Sequence, residues 1–260
     1  MRINQYIAHS GICSRREADQ LIKDGRVTIN GKPIESLAQL IGEKDLVKVD
    51  GKKIEPERKV YILLNKPKDY ITTTDDEKDR KTVLDLVKPH IVNPIYKNLR
   101  FYPVGSLDRN TSGLLLLTND GELTQSLTHP KFNIEKIYIA TLDKKLLPAD
   151  MEAIMKGVEL EDGIMQVDEV AFPDTMDKTK VGIAIHSGKN RIVRRIFEHL
   201  GYEVRQLDRI VYAGLTKKDL PRGKWRFLEI HEVNMLKNKG KKTPQISIQE
   251  HKSKKGFKKK

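Results

Sequence analysis

The stretch "PVGSLDRNTSGLLLLTNDGEL", residues 103–123, sets a polar run between two apolar ones. Residues 102–104 and 114–117 read as strands. Ser106 and the run Asp108-Arg109-Asn110-Thr111-Ser112 then fall in a connection at the edge of a sheet. Two readings of Asp108 stand side by side here. In one its carboxylate folds back on backbone amides a residue or two further on, as an Asx-turn. In the other it is held out for chemistry.

Working outward, "VYILLNKP" before this stretch is a strand closed by Pro67. Helical patterns follow over 121–127, 148–156 and 190–200, too short for a parallel βαβ repeat throughout. The fold class expected is α+β: a domain over 60–236 on a mixed, mainly antiparallel sheet. "EPERK", residues 55–59, reads as a linker. Ahead of it, 1–54 form a small helix-plus-hairpin module. In "CSRREADQLIKDG", Ser14 caps a helix and Glu17 completes the capping box. Ala18, Leu21 and Ile22 form its buried face, and Gly25 stops it. Two short alternating strand patterns follow, turning at Asn30-Gly31 and Asp50-Gly51. After Leu236 the chain turns lysine-rich, and 237–260 read as a disordered basic tail.

Of the 260 residues, 49 are Lys or Arg and 36 Asp or Glu, a net charge of +13. Such a balance favours a polyanionic partner, nucleic acid first and an anionic membrane surface second. No apolar run is long enough to span a bilayer, and "MRINQYIAHSG" lacks the apolar core of a secretory signal, so a cytoplasmic protein with no membrane role is expected. Cys13, the single cysteine, excludes an intramolecular disulfide and a multi-cysteine zinc site; it reads as a small buried apolar residue.

Arg15 and Arg16 occupy the first turn of the Ser14-capped helix, where the macrodipole disfavours cations. Stability does not explain them, whereas phosphate binding at a helix N-terminus does. Lys23, Arg26 and Lys32 extend the same surface as candidate nucleic-acid contacts. In "SGKNRIVRRIFEHLG" the apolar stripe is Val193, Ile196, Phe197 and Leu200. At 100° per residue Arg194 lies beside that stripe, while Arg191 and Arg195 point away from it and are candidate nucleic-acid contacts. Arg194 is thus the arginine expected to be buried, which calls for a carboxylate or several carbonyls; Asp108 is a candidate partner.

"LNKP" at 64–67, "GSLDRNTSGLLLLTNDGEL", "EKIYIATL" around Tyr138, "GKNRIVRRIFEHLGYEV" and "LPRGKWRFL" occur in the order seen in bacterial ribosomal RNA pseudouridine synthases of the RsuA/RluB type. Residues 1 to about 50 resemble the small RNA-binding domain of S-four type that precedes the catalytic domain in that family. The resemblance implies that a particular uridine in ribosomal RNA, of the large subunit, has its glycosidic bond broken, its base turned and the base rejoined through carbon. It maps the family's catalytic aspartate onto Asp108, its arginine onto Arg194 and its active-site tyrosine onto Tyr138, placed to stack on the target base. Asp108 would act as nucleophile or as base; either role needs an ionised carboxylate, which a neighbouring guanidinium favours. Lys136, on the strand face of Tyr138, is a candidate contact to the RNA backbone. The target must be flipped out of its stack while cations hold the flanking phosphates.

No phosphate-binding glycine loop or metal cluster is apparent, and an isomerisation implies no cofactor. The partner expected is ribosomal RNA or an assembling subunit, bound by a monomer. One position departs from the pattern: the family has arginine where this chain has Ser106. Arg109, just past Asp108, is a candidate for the missing charge. A rival reading is a non-catalytic RNA-binding or ribosome-assembly protein that kept the fold and lost the activity with that arginine.

Overall fold

The computed structural model describes residues 1–238. By internal contacts the chain forms two units, one of Met1–Val60 with Val92–Phe101, the other of Tyr61–Ile91 with the chain from Tyr102 onward. Residues 92–101, expected within the second domain, cluster instead with the first.

In the N-terminal unit α1 (Ile3–His9) packs on α2 (Arg15–Lys23). Ser14 caps α2: its hydroxyl accepts from the Glu17 N–H, and the Glu17 carboxylate accepts from the Ser14 N–H at 2.6 Å. The strands β1 (Val27–Ile29), β2 (Lys32–Pro33), β3 (Val47–Val49) and β4 (Lys52–Lys53) form a sheet of order β2-β1-β3-β4. Both turns pair a non-glycine residue and a glycine at positive φ, Asn30-Gly31 at 51° and 80° and Asp50-Gly51 at 50° and 76°. Ile3, Ile7, Ala18, Ile22, Val27 and Val47 close the core, with Cys13 half-buried against it. Residues 92–101 carry the one-turn α3 (Pro94–Lys97).

The second unit is built on a nine-stranded sheet. Its strands are β5 (Tyr61–Lys66), β6 (Tyr102–Pro103), β7 (Thr111–Thr118), β8 (Lys136–Leu142), β11 (Glu169–Ala171), β12 (Lys180–Ile185), β13 (Val204–Tyr212), β14 (Leu215–Thr216) and β15 (Trp225–Phe227). The order is β11-β12-β8-β13-β7-β5-β15, with β14 beside β13 and β6 beside β7. Every pair is antiparallel except β7 with β13. A separate hairpin joins β9 (Val158–Leu160) to β10 (Gly163–Met165).

The helices α4 (Gly121–Thr128), α5 (Pro148–Lys156), α6 (Ile192–His199) and α7 (Ile230–Lys237) complete the unit. Leu123 and Leu127 of α4 pack with Leu114 and Leu116 of β7. All eight residues of β7 are buried, Thr111 to Gly113 included, so this strand begins three residues before the apolar run that announced it. The expected tail starts later than 237: Lys237 ends α7 and Asn238 caps it, and the rest of that expectation lies outside the described residues.

The parallel pairing of β7 and β13 fixes the position of everything that follows. It sets Thr111 opposite Leu207, Ser112 opposite Asp208 and Gly113 opposite Arg209. Gly113 has φ of 111°, and a Cβ there would sit 2.3 Å from the Arg209 carbonyl oxygen. Only glycine lets the two backbones come this close.

Candidate active site

Where β7 begins, the loops before it and before α6 enclose a cleft of about 230 Å³. That is below the roughly 300–1,000 Å³ of drug-sized sites and suits a single flat ring. Ser106, Asp108, Lys136, Tyr138, Arg191 and Arg209 are among its walls.

The loop carrying Asp108 is fixed through its main chain. Lys66 ends β5 fully buried, and its Nζ donates to the carbonyls of Pro67, Asp108, Arg109 and Thr111 at 2.8–3.3 Å. Burial pulls this amine down to about 8, against the attraction of Asp108 and Asp69. On the other side the Thr72 hydroxyl donates to the Leu107 carbonyl at 2.7 Å and accepts from the Leu107 N–H at 3.2 Å. The turn itself is closed by main chain, Thr111 N–H donating to the Asp108 carbonyl at 3.0 Å. Among the described residues no backbone amide donates to the Asp108 carboxylate, so the Asx-turn does not form.

That carboxylate faces two guanidiniums. Its Oδ2 lies 3.7 Å from Arg191 Nη1 and 3.9 Å from Arg194 Nε. Both separations exceed hydrogen-bond length, so the attraction is coulombic. Arg194 is 7% exposed beside Val193 and Phe197; its Nη1 donates to the Val204 carbonyl at 2.6 Å, and its Nε is buried with no hydrogen-bond partner. Burial, then the like charge of Arg191, pulls this guanidinium below its ordinary value.

Arg191 corrects the helical-wheel expectation. It is the N-cap of α6 with φ of 48°, outside the helix, so the 100° spacing does not reach it and its side chain turns to the cleft. There it is shared between Asp108 and Glu198, whose Oε1 is 3.1 Å away. Tyr138, 8% exposed on β8, pairs across the sheet with Ile183 and Arg209 and lines the same cleft.

Several other cations expected to meet RNA are already engaged. Lys136 donates to the carbonyls of Ile134, His186 and Ser187, tying β8 to the loop before α6; burial, then the charge of Arg209, pulls its amine to about 8. Arg195 forms a two-pronged pair with Asp162 at 2.5 and 3.1 Å and holds that carboxyl down at about 2. Arg26 forms a two-pronged pair with Asp50 at 2.6 and 2.8 Å, and that hydrogen bonding lowers the Asp50 carboxyl below its ordinary value. Arg109 does not line the cleft; it is exposed and pairs with Asp69 at 3.3 Å. Arg15, Arg16, Lys23 and Lys32 are exposed on the N-terminal unit, and among the described residues none is held in an ion pair.

Two residues of the site were not anticipated. Lys66 follows Asn65 at the end of the strand pattern "VYILLNK", and Arg209 stands just before the apolar run Ile210-Val211-Tyr212. A cation beside a buried apolar run is the signal these two positions carry.

Comparison with known proteins decides the family. The RNA pseudouridylate synthase model matches residues 60–199, and an S4 domain matches 1–47. The chain belongs to the RNA pseudouridylate synthase family. It is 41% identical over 243 residues to the ribosomal large subunit pseudouridine synthase B of Bacillus subtilis (strain 168), covering 91% of this chain and 95% of that one. It is 35% identical to the dual-specificity RNA pseudouridine synthase RluF of Escherichia coli (strain K12), covering 90% of this chain and 77% of the relative. A crystal structure of a pseudouridylate synthase superposes with a TM-score of 0.63 at 27% identity, covering 91% of this chain and 99% of the other. This protein is an RNA pseudouridine synthase, and its α+β fold is that of the family.

Proposed function

We propose that this synthase isomerises a uridine of ribosomal RNA, in the large subunit, with Asp108 as the reacting carboxylate. The observation that carries the reading is the placing of Asp108: its carboxylate stands at the wall of a base-sized cleft, unspent on backbone amides and flanked by two guanidiniums. A carboxylate not spent on the backbone can attack C1′ of the sugar or take the C2′ proton. Arg194 is the buried counter-charge that orients it, and Tyr138 offers a ring face to the extruded base. Lys66 holds the loop, so that the carboxylate need not be ordered anew at each turnover. The N-terminal unit, bounded near residue 60, presents Arg15 and Arg16 to the RNA backbone and supplies affinity without reading sequence. Where the family arginine is replaced by Ser106, positive charge on the cleft wall comes from Arg191 rather than Arg109. The protein acts as a monomer in the cytoplasm, where ribosomal RNA is made in bacteria.

Mapping pseudouridines in ribosomal RNA from cells with and without this gene, and in RNA treated with the purified protein, tests the reading. One large-subunit site should vanish in the deletion and return in the treated RNA. An unchanged map, with RNA binding retained, would establish the RNA-binding rival instead.

A further inference from the structure

Arg209 is the most enclosed arginine of the cleft, and the fold leaves most of it unused. It is 2% exposed and lies across from Tyr138 in the pairing of β8 with β13. Its Nε donates to the Leu114 carbonyl at 2.8 Å, and its Cζ stands 4.3 Å from the centre of the Tyr212 ring. Those two contacts fix the plane of the guanidinium. Its Nη2 is buried with no hydrogen-bond partner, and among the described residues no carboxylate pairs with it. Next to it on the same wall, Thr111 is 2% exposed with Oγ1 likewise unpartnered.

The other buried cations of this unit are provided for. Lys66 has four carbonyls, Lys136 has three, and Arg194, though its Nε also lacks a hydrogen-bond partner, has the Asp108 carboxylate at 3.9 Å and the Val204 carbonyl. A buried guanidinium without an anion is costly, and so is a buried donor without an acceptor. A ligand that supplies the missing acceptor is planar, small enough for the cleft and edged with carbonyl oxygens. Uracil has that shape, with acceptors at O2 and O4 and a donor at N3. Its need for a cation also grows during the reaction. When the C1′–N1 bond breaks, both electrons stay on the base and spread over N1, O2 and O4, while Asp108 attends to the sugar. After the base turns, C5 supplies the pair for the new C5–C1′ bond, the C5 proton leaves, and N1 ends protonated, so nothing is gained or lost overall.

We propose that Arg209 binds the extruded base, donating from its free guanidinium edge to a uracil carbonyl oxygen and stabilising the negative charge that develops there. Thr111 Oγ1 serves a second polar atom of the same ring. The inference rests on the synthase reading of this cleft. It assigns to β13 a direct contact with the reacting base, made by a donor already in place before the substrate arrives.

The test is a single-turnover cycle on the mapped target RNA carrying uridine, 2-thiouridine or 4-thiouridine at the modified position. Sulfur is a weak acceptor. With the wild type, the thio substitution at the contacted oxygen should slow turnover by about 10- to 100-fold, the range for a hydrogen bond to a charged group. Arg209→Met should slow uridine turnover by a similar factor and lose its response to that substitution, with RNA affinity unchanged. The effect of sulfur on base acidity is common to both proteins and cancels in the ratio. Arg209→Lys, which keeps the charge but not the fork, should fall between them; it carries the cycle if Arg209→Met does not fold. Equal thio responses in wild type and both variants would overturn the assignment. A wild type inert toward uridine in the same assay, while binding the RNA, would instead overturn the synthase reading, and this inference with it.

Discussion

The arginines of the N-terminal unit and those of the cleft are spent in opposite ways. On the first unit Arg15 and Arg16 are exposed without partners among the described residues, and Arg26 is matched by Asp50 in full solvent. In the cleft Arg194 and Arg209 are 7% and 2% exposed, and each keeps a buried N–H without a hydrogen-bond partner. Exposed cations act through the general field: they gather phosphates, release counterions and lose their effect in salt. Buried donors act at one point and at short range. The two regions therefore divide affinity from chemistry, and the division can be attacked from either side.

The largest expected effect is at Asp108. Asp108→Asn keeps the shape, the loop and the Lys66 tie to its carbonyl, and removes only the charge. Pseudouridine formation should drop below detection while RNA affinity stays near that of the wild type. A loss of affinity equal to the loss of turnover would mean that cleft and surface are not separate.

Next comes the charge beside Ser106. Arg191→Ala removes a guanidinium 3.7 Å from Asp108 Oδ2 on the cleft wall, and single-turnover rate should fall by roughly tenfold or more, as for the loss of a charge-assisted contact. Arg109→Ala, releasing only Asp69, should stay within about twofold of wild type, as an exposed pair contributes little. The reverse order in paired rate measurements would hand the role of the missing arginine back to Arg109.

The smallest effect belongs to the surface. Arg15→Ala with Arg16→Ala should weaken RNA binding severalfold and flatten the slope of log affinity against log salt by about two units or slightly less. Turnover at saturating RNA should not change. Arg26→Ala, whose charge is already met by Asp50, should alter the slope less than either of these; titrations at several salt concentrations would expose any departure.

Much of this architecture is written in local pattern. The Ser14 cap, the Asn30-Gly31 and Asp50-Gly51 turns, and the helices over 121–127 and 148–156 depend on neighbours within a few residues, and they appear within a residue of where they were expected. Helix α1 is not among the elements expected from the sequence, although Ile3 and Ile7 stand four apart on one face of it. Burial of Arg194 followed from the helical wheel, which holds inside a helix. It failed for Arg191 three residues earlier, where the backbone had already turned to positive φ.

The sequence by itself determined the family, the class of fold and the elements that carry Asp108, Tyr138 and Arg194, since short motifs and residue periodicity are local properties of a chain. Tertiary structure alone decided how each charge is used. Lys136, Arg195 and Arg26 read in sequence as free cations, yet their partners, the His186 and Ser187 carbonyls, Asp162 and Asp50, lie 24 to 51 residues away along the chain. Arg209 reads as one more basic residue. It becomes a cation in search of a ligand only when β13 runs parallel to β7 and Gly113 admits its backbone. A charge is defined by what surrounds it, and those surroundings are assembled from parts of the chain that sequence spacing does not relate.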